Sequence, residues 1–380
     1  MAAQCPGWYI KPIFPYNLFK MKWYFALLLL TITAACNPTE KKKTIGGESW
    51  TLGPFVKADS LNPILLPDSG QVFVCPVTGK QTHWESRNVL NPTAVIREGK
   101  VYLLYRAQDG DMTSRIGLAI SEDGYHFTKQ PAPVFYPDKD SLNTLEWKGG
   151  VEDPRIVEDA DGRYILTYTS YDGKTARLCL ASSTDLLHWK KHGPVLGTGK
   201  YKDTWSKSGA IVVKQQGDKM IATAINGKYW MYFGDTHLFM AYSEDLIHWT
   251  PCENEENHQL ISVLHPRPGR FDSRLVEPGP FALLKEEGIL LIYNGSNAAD
   301  FNDSLLPKFT YSAGQALFDK NQPYKLIGRQ ENYFIHPDKP YERTGEVNEV
   351  CFAEGLAWFN NKWFLYYGTA DSRIAVAVSN

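Results

Sequence analysis

Acidic and basic side chains stand together at the start of an apolar segment of this chain. The stretch that begins at residue 150 reads GVEDPRIVEDADGRYILTY, so Glu152, Asp153 and Arg155 directly precede an apolar run. Aspartate and proline are ordinary residues of turns and strand ends, which gives this stretch a purely structural interpretation. The chemical interpretation is that neighbouring carboxylates and a guanidinium shift one another's pKa values, as acid–base sites require.

Four further segments begin in the same way, with a polar residue, an apolar run and a polar turn. Asn91 opens NPTAVIREGK, Lys207 opens KSGAIVVKQQGD, Glu277 opens EPGPFALLKEEG and Glu354 opens EGLAWFNNK. This pattern is typical of a strand that leads into a hairpin. One such residue alone would be read as part of a solvated loop, but five repeated openings favour a shared site.

The segments belong to an internal repeat of about sixty residues. SRIGLAIS, ARLCLASS and THLFMAYS begin at residues 114, 176 and 236, so the successive spacings are 62 and 60 residues. A last copy, SRIAVAVS, begins at residue 372, and YSAGQALF at 311 is a weaker one. A second strand precedes these copies and ends in a polar residue four positions after a tyrosine: Asp109, Asp172, Asn297 and Asp371. The third unit departs from this second pattern.

Five copies of three strands, with almost no helical periodicity, predict an all-β fold, a five-bladed β-propeller that forms a single domain over residues 50–380. A two-sheet sandwich is the structural alternative, but it would not explain the repeat. Because the last strand ends at the end of the chain, we expect an early strand within 70–84 to complete the last blade. The first strands would then line a central channel and bring their polar openings to one mouth.

The composition indicates a globular protein, and the N-terminal residues suggest where in the cell it is located. Apolar residues make up 43% and charged residues 22%, which is typical of a globular protein, and the net charge of −2 predicts no nucleic-acid partner. We interpret residues 1–20 as an extension of the gene model, residues 21–36 as a lipoprotein signal that ends at the lipidated Cys36, and residues 37–49 as a tether. These features predict a bacterial cell-envelope protein, attached to the membrane only through its lipid.

The residue types narrow the chemistry to carboxylates. There is no HExxH segment, glycine-rich phosphate loop or nucleophile elbow, and neither histidines nor cysteines have metal-ligand spacing, so we expect no metal and no cofactor. His188 and His248 occupy matched positions of the repeat and are interpreted as structural. Two opposed carboxylates are what glycoside hydrolysis requires: a proton donor, and a second group that activates water or attacks carbon.

The motifs resemble those of glycoside hydrolase family 130, the mannoside phosphorylases and β-mannosidases built on a five-bladed propeller. The resemblance rests on NPTAVI, LLYRAQDG, EDPRIV, YSAGQALFD, YERTGEVNEVCFAEG and LYYGTADSRIAVA, and it covers residues 85 to 380. It implies a mannose-containing oligosaccharide as substrate. Other five-bladed glycosidases, such as arabinanases, would not explain the YERTGEV and YYGTAD segments.

The resemblance also implies roles for individual residues. Asp153 would be the acid, acting in some members of the family through a sugar hydroxyl. Other residues would bind the mannosyl unit or shape its pocket: Asn91, Arg106, Asp109, Asp371, Tyr341 and Glu354. The remaining candidates for substrate binding are Glu152, Arg155, Lys207, Arg274 and Asn294.

The choice between hydrolysis and phosphorolysis depends on Glu277. A carboxylate beside a phosphate site would repel the dianion, whereas a general base would activate water. We therefore expect an inverting exo-β-mannosidase with Asp153 as acid and Glu277 as base, and Glu354 as the second candidate for the base. The alternatives are a β-mannoside phosphorylase, with inorganic phosphate as co-substrate, and a surface glycan-binding lipoprotein without catalysis. We expect residues 250–275 to set the subsites beyond the cleaved bond; the linkage and oligomeric state stay open.

Overall fold

The computed structural model describes residues 48–379. Within this range the protein is all-β, as predicted: helical structure is confined to Asn143–Glu146 (α1), Pro340–Arg343 (α2) and a 3-10 turn at Gly199–Tyr201. None of these helices, in the described part of the chain, is long and apolar enough to cross a membrane. The predicted extension, the lipoprotein signal with Cys36, and the tether up to residue 47 lie outside the described residues.

The strands are short and follow one another along the whole described chain. In chain order they are Val56–Lys57 (β1), Phe73–Val74 (β2), Gln81–Thr82 (β3), Asn88–Arg97 (β4), Lys100–Gln108 (β5), Ser114–Ser121 (β6), Thr128–Lys129 (β7), Gly150–Glu158 (β8), Tyr164–Tyr171 (β9), Ala176–Ser183 (β10), Lys190–Pro194 (β11), Gly209–Gln216 (β12), Lys219–Ala222 (β13), Tyr229–Phe233 (β14), Phe239–Ser243 (β15), Trp249–Pro251 (β16), Leu275–Pro278 (β17), Ala282–Leu284 (β18), Ile289–Ser296 (β19), Tyr311–Phe318 (β20), Leu326–Arg329 (β21), Cys351–Phe359 (β22), Lys362–Thr369 (β23) and Arg373–Ser379 (β24).

The strands pair into successive antiparallel sheets that follow the sequence repeat. Strands β4 to β7 pair in order, and so do β8 to β11. In the third unit β12 pairs first with β14 and then with β13, and β14 leads on to β15 and β16. In the fourth unit β17 and β18 both pair with β19, which is followed by β20 and β21. Strands β22, β23 and β24 form the fifth sheet.

The chain start supplies the outer strand of the fifth sheet, but not from the predicted segment. Val56 and Lys57 pair with Val378 and Ala377 of β24. Strands β2 and β3, within the predicted range 70–84, pair with each other instead. The prediction was wrong because residues 75–80 close a tight turn, in which Cys75 N–H donates to the carbonyl of Lys80, and this hairpin satisfies its own backbone.

The inner strands of each sheet are buried on both faces because neighbouring sheets pack face to face. All residues of β8 and of β10 are buried, and in β8 this includes the charged side chains of Glu152, Asp153, Arg155 and Glu158. One core cluster joins Leu104 of the first sheet to Ile156 of the second. Another joins Leu103 of the first sheet to Phe364 of the fifth, so the first and last sheets are also neighbours.

The tyrosines that mark the second strands have a structural role. Each hydroxyl donates to a buried carboxylate that also binds a cation. The four clusters are Tyr105–Glu85–Lys129, Tyr168–Glu146–Lys191, Tyr293–Asp272–Arg329 and Tyr367–Glu342–Lys57. The third unit lacks this cluster among the described residues, and its Tyr232 hydroxyl donates to the carbonyl of Pro323.

The matched histidines are structural as well. His188 Nδ1 lies 2.7 Å from Asp185, and His248 lies in the same arrangement with Asp245. The same aspartates accept backbone N–H groups of their own turns, so each histidine closes the turn that joins its third and fourth strands. Both histidines are far more exposed than the sheets that they follow.

Candidate active site

The first strands of three sheets break their pairing at the residue that opens the apolar run. The register shifts between Leu90 and Pro92 in β4, between Glu152 and Arg155 in β8, and between Ala353 and Gly355 in β22. A bulge of this kind leaves one residue unpaired and re-aims its side chain. The residues released in this way are Asn91, Asp153 with Pro154, and Glu354.

Positive φ angles accompany two of these bulges. Asn91 has φ 47° and Asp153 has φ 48°, and Ser208, at the equivalent opening of β12, has φ 55°. Non-glycine residues adopt this left-handed conformation at a cost, and such strain clusters at functional sites. The repeat therefore presents a specialised backbone position in several units, and different side chains occupy it.

The side chains at these openings meet around Arg106 of β5. Its guanidinium binds Glu152 at 2.7 Å and Asp153 at 3.0 Å. Asn91 donates from Nδ2 to Asp153 at 2.7 Å, and the ammonium of Lys207 lies 3.4 Å from the other oxygen of Asp153. Five of the predicted site residues are thus in contact, contributed by the first three sheets.

Asp371, predicted from the end of a second strand, belongs to the same cluster electrostatically. Burial raises its pKa to about 6, and the positive charge of Arg106 partly opposes this effect. The negative charge of Asp153 raises the pKa of Asp371 further, so these carboxylates sense one another.

Asp153 differs from its neighbours in its protonation. Burial would raise its pKa, but the charges of Arg106 and Lys207 hold that pKa well below its usual range. Burial raises the pKa of Glu152, and Arg106 only partly offsets it. In the sugar-free protein Asp153 is therefore ionised, and Glu152 and Asp371 hold a proton more readily.

A second carboxylate group lies on the other side of Lys207. Glu277 is 5% exposed, and its carboxylate accepts a hydrogen bond from the hydroxyl of Ser208. Burial raises the pKa of Glu277, while Lys207 and Arg155 oppose the rise. A weakly exposed carboxylate with a raised pKa and one fixed hydrogen bond has the properties of a general base.

Glu354 is enclosed more completely than Glu277. It is 0% exposed, and one carboxylate oxygen lies 2.5 Å from Arg155. Burial raises its pKa well above the usual value despite Arg155. Glu277 is therefore the slightly less enclosed of these two glutamates.

Arg155 was a candidate for substrate binding, but the protein itself occupies its guanidinium. It donates to the carbonyls of Gly279 at 2.7 Å, Pro278 at 2.8 Å and Asp153 at 3.1 Å. It also lies 4.0 Å from Glu277, so it links the two glutamates. Arg155 therefore positions the strand openings.

Asp109 and Asn294 are not brought into the cluster. The carboxylate of Asp109 accepts the N–H groups of Asp111 and Thr113 and binds Arg115 at 2.7 Å, so its own turn and third strand use it. Asn294 binds both backbone groups of Ala353, accepting at 2.7 Å and donating at 3.0 Å. It positions the strand that carries Glu354 rather than a substrate.

Tyr341 and Arg274 also lie outside the cluster. The hydroxyl of Tyr341 contacts Asn62 and Asp59 near the chain start, on the short helix α2. Arg274 is exposed, with its guanidinium 5.3 Å from the ring centroid of Phe309 and 3.4 Å from the hydroxyl of Ser296. It remains a rim residue.

Sequence reasoning missed Ser208, the partner of Glu277. The signal was present, because KSGAIV places Ser208 at the position that Asp153 occupies in EDPRIV. Ser114 was missed for a different reason: its hydroxyl contacts Glu152 at 3.2 Å, but it lies in a third strand, where nothing in the repeat singles it out. Between residues 48 and 379 no group of three potential ligands could hold a metal ion, and all four cysteines there are free thiols.

Comparisons with known proteins show which family the chain resembles. A family profile described as beta-1,4-mannooligosaccharide phosphorylase matches residues 71–380. A 1,2-beta-oligomannan phosphorylase of Thermoanaerobacter sp. (strain X514) is 31% identical over 334 residues, covering 85% of this chain and 96% of the relative.

Solved structures provide more similar relatives. A glycosyl hydrolase from Bacteroides ovatus is 42% identical with a TM-score of 0.85, covering 87% of this chain and 94% of the other. A second structure, 42% identical with a TM-score of 0.86 and covering 88% and 95%, was described with glycoside hydrolases that target beta-1,2 mannosidic linkages in Candida mannan.

Proposed function

Because the chain belongs to glycoside hydrolase family 130, an enzyme family that acts on β-mannosides, we propose that it is an exo-acting, inverting β-mannosidase. The observation that carries hydrolysis is the charge of the site. Five carboxylates (Glu152, Asp153, Glu277, Glu354 and Asp371) accompany three cations (Arg106, Arg155 and Lys207). Arg106 and Arg155 lie within 3.0 Å of carboxylates, and Lys207 lies 3.4 Å from Asp153.

This charge disfavours a phosphate co-substrate. A phosphate dianion needs cations or backbone N–H groups that are free to bind it. Because the three cations are already paired, the dianion would face carboxylates that no cation compensates. Like charges at such short distances repel strongly in a poorly solvated site. Water carries no charge and needs only a base, which supports hydrolysis.

In the proposed reaction Glu277 removes a proton from a water molecule, which attacks the anomeric carbon of the bound mannosyl unit. The glycosidic oxygen leaves with a proton, and the sugar configuration inverts. Asp153, the proposed acid, is ionised before the sugar binds. Its acid role therefore requires that Asp153 take up a proton from solvent when the bound sugar displaces Lys207 or Arg106. Asp153 then donates that proton to a neighbouring sugar hydroxyl, which passes its own proton to the glycosidic oxygen.

The mannosyl unit would bind among Asn91, Arg106, Asp153 and Asp371. These residues offer both donors and acceptors within one cluster, as hydroxyl-rich ligands need. The solved relative associated with beta-1,2 mannosidic linkages suggests β-1,2-mannosides as the first substrates to test.

Phosphorolysis is the second candidate, and the names of the curated relatives favour it: the 31% identical relative is a phosphorylase, and the family profile carries a phosphorylase description. The deciding experiment incubates the protein with defined β-1,2- and β-1,4-mannosides, with and without phosphate, and follows the products by NMR. Phosphate-independent release of α-mannose supports the proposal, whereas release of α-mannose 1-phosphate only with phosphate overturns it.

We further propose that the five sheets are the blades of a five-bladed propeller, with residues 50–380 as one domain. The core clusters that link neighbouring sheets, including the first and the fifth, support this arrangement. We also propose attachment to the cell envelope through Cys36, as the leader sequence suggests. A Cys36→Ser variant that stays in the membrane fraction of detergent-free lysates would contradict the anchor.

A further inference from the structure

A second concave surface lies beside the cluster and has no role in the reaction described above. It is a cavity of about 250 Å³. Its lining is aromatic and polar, and includes Trp205, Asp235, Thr236, His237, Phe239 and Leu260. Sugar-binding sites combine these features, since one face of a pyranose is apolar and its rim carries hydroxyl groups.

The cavity adjoins the reacting groups through the backbone. Trp205 lies two residues before Lys207, and the N–H of Gly234, which precedes Asp235, donates to the carbonyl of Lys207 at 2.9 Å. On the other side, the N–H of Val276 donates to the carbonyl of Thr236 at 3.3 Å. Val276 directly precedes Glu277, so the cavity wall is bonded to both strand openings that carry the proposed base and Lys207.

Trp205 is held in place although it is exposed. Its Nε1 donates to Asp235 at 2.6 Å, and the ring of Tyr171 meets it edge-on with the centroids 6.3 Å apart. Even so, 49% of Trp205 is accessible to solvent. A large indole fixed in one orientation loses little entropy on binding and offers much contact area, as binding anchors do.

Asp235 supplies a polar group with unused capacity. Among residues 48–379 no cation lies within ion-pair distance of its carboxylate, and its only hydrogen-bond donor there is Trp205. A carboxylate can accept several hydrogen bonds. The pair therefore combines a flat apolar face with an acceptor for hydroxyl groups.

We propose that Trp205 and Asp235 bind a sugar of the leaving group, with the indole stacked on the pyranose and the carboxylate accepting its hydroxyls. This inference rests on the proposed function. An exo-acting enzyme holds the terminal mannosyl unit at the reacting cluster, so a second bound sugar belongs to the departing part of the glycan. Leu260 brings residues 250–275 to the cavity.

The test compares two substrates in the full chain. One is the β-mannobiose or β-mannotriose that the wild-type protein cleaves best; the other is β-mannosyl fluoride, whose leaving group has no sugar. Trp205→Ala should lower kcat/KM on the oligosaccharide at least tenfold and change that on the fluoride less than twofold. Asp235→Asn, which keeps an acceptor for the indole, should show the same selectivity with a smaller loss.

The outcomes separate this inference from the proposed function. Equal losses on both substrates, or no loss on the oligosaccharide, would overturn the subsite while the wild-type activity still stands. A wild-type protein inactive on every mannoside without phosphate would instead remove the proposed hydrolase. Tyr324→Ala is the matched control, because Tyr324 is 53% exposed and lies on the turn between β20 and β21, outside the cavity; both substrates should be unaffected.

Discussion

Replacing the two buried glutamates one at a time distinguishes a catalytic base from a structural carboxylate. Glu277→Gln keeps the shape of the side chain and an oxygen that can accept the hydrogen bond of Ser208, but it cannot take a proton. General base catalysis contributes about 10²- to 10⁴-fold. We therefore expect kcat to fall by about this factor, which corresponds to ~3–5 kcal/mol of transition-state stabilisation at about 1.4 kcal/mol per decade, with KM changed little.

Glu354→Gln should act mainly on stability. Glu354 is the closest carboxylate to Arg155, at 2.5 Å, whereas Glu277 is 4.0 Å away. Removing one partner of a buried ion pair costs about 3–5 kcal/mol because the other charge is left uncompensated. The remaining contact with Glu277 places the expected loss at the lower end of that range. Urea unfolding of both variants, beside initial rates, measures the two effects separately.

The pH profile provides an independent readout. A base must be ionised, and because burial raises the pKa of Glu277, its ionisation limits the rate on the acidic side. The wild-type rate should rise with pH through this pKa, and Glu277→Gln should lose that limb. The assignment of the base would be wrong if Glu277→Gln kept kcat within threefold of the wild type. It would also be wrong if Glu354→Gln lowered kcat a hundredfold or more with the free energy of unfolding unchanged.

Three further predictions follow from the charges and the repeat. Lys191→Met leaves Glu146 buried without its 2.5 Å partner and should lower the free energy of unfolding by about 3–5 kcal/mol. The control Lys190→Met, at the exposed neighbouring residue, should change this free energy little. Equal urea midpoints for the two variants would contradict the prediction. Asp371 has a pKa of about 6 in the folded protein and about 3.9 in the unfolded chain, so its contribution to stability is lost as pH rises between these values. Asp371→Asn should therefore raise Tm at pH 8 and not at pH 4. A change in Tm that does not depend on pH would refute the reasoning. His248→Ala should leave activity within twofold, because His248 closes an exposed turn; a large loss would give it another role.

The repeat was enough to predict the fold class and the strand openings. The predicted openings at Asn91, Asp153, Glu277 and Glu354 lie within first strands, and Lys207 lies two residues before β12. This succeeded because apolar runs bounded by turn residues are a local property of the chain. The bulges, in contrast, arise only when a strand pairs with its neighbour, so nothing in the sequence could show that Asp153 and Asn91 would have positive φ.

The wrong predictions of sugar-binding residues have a common physical origin: nearby backbone groups and charged side chains compete for the same polar side chains. Asp109 and Asp371 occupy equivalent places in the repeat, and both were expected to bind the sugar. The longer turn after Asp109 offers two backbone N–H groups and Arg115. Asp371 has no such turn and remains coupled to Arg106. Side chains that can satisfy a nearby backbone group tend to do so, and a repeat alignment does not contain this information.

The prediction of the strand that completes the fifth sheet failed for a related reason. Both 56–57 and 70–84 precede the first complete unit, and either could reach the edge of β24 along the chain. The segment around Cys75 forms its own hairpin, whereas Val56–Lys57 has no partner except β24. Lys57 also supplies the cation for Glu342 and Tyr367, so the fifth sheet gains its buried cluster only when the chain start docks there.

The placement of charged side chains at the strand openings explains how one scaffold could support either water or phosphate as the attacking group. The backbone positions at the strand openings are set by the bulges, and the sequence repeat places a different side chain at each one. Lys207 and Arg155 are cations that could have bound an anion, but Glu277 and Glu354 stand against them and take up their charge. A change from glutamate to a neutral or basic residue at these openings would release that charge without altering the sheets. We therefore expect the charge balance at a few openings, rather than the fold, to decide which co-substrate the site accepts.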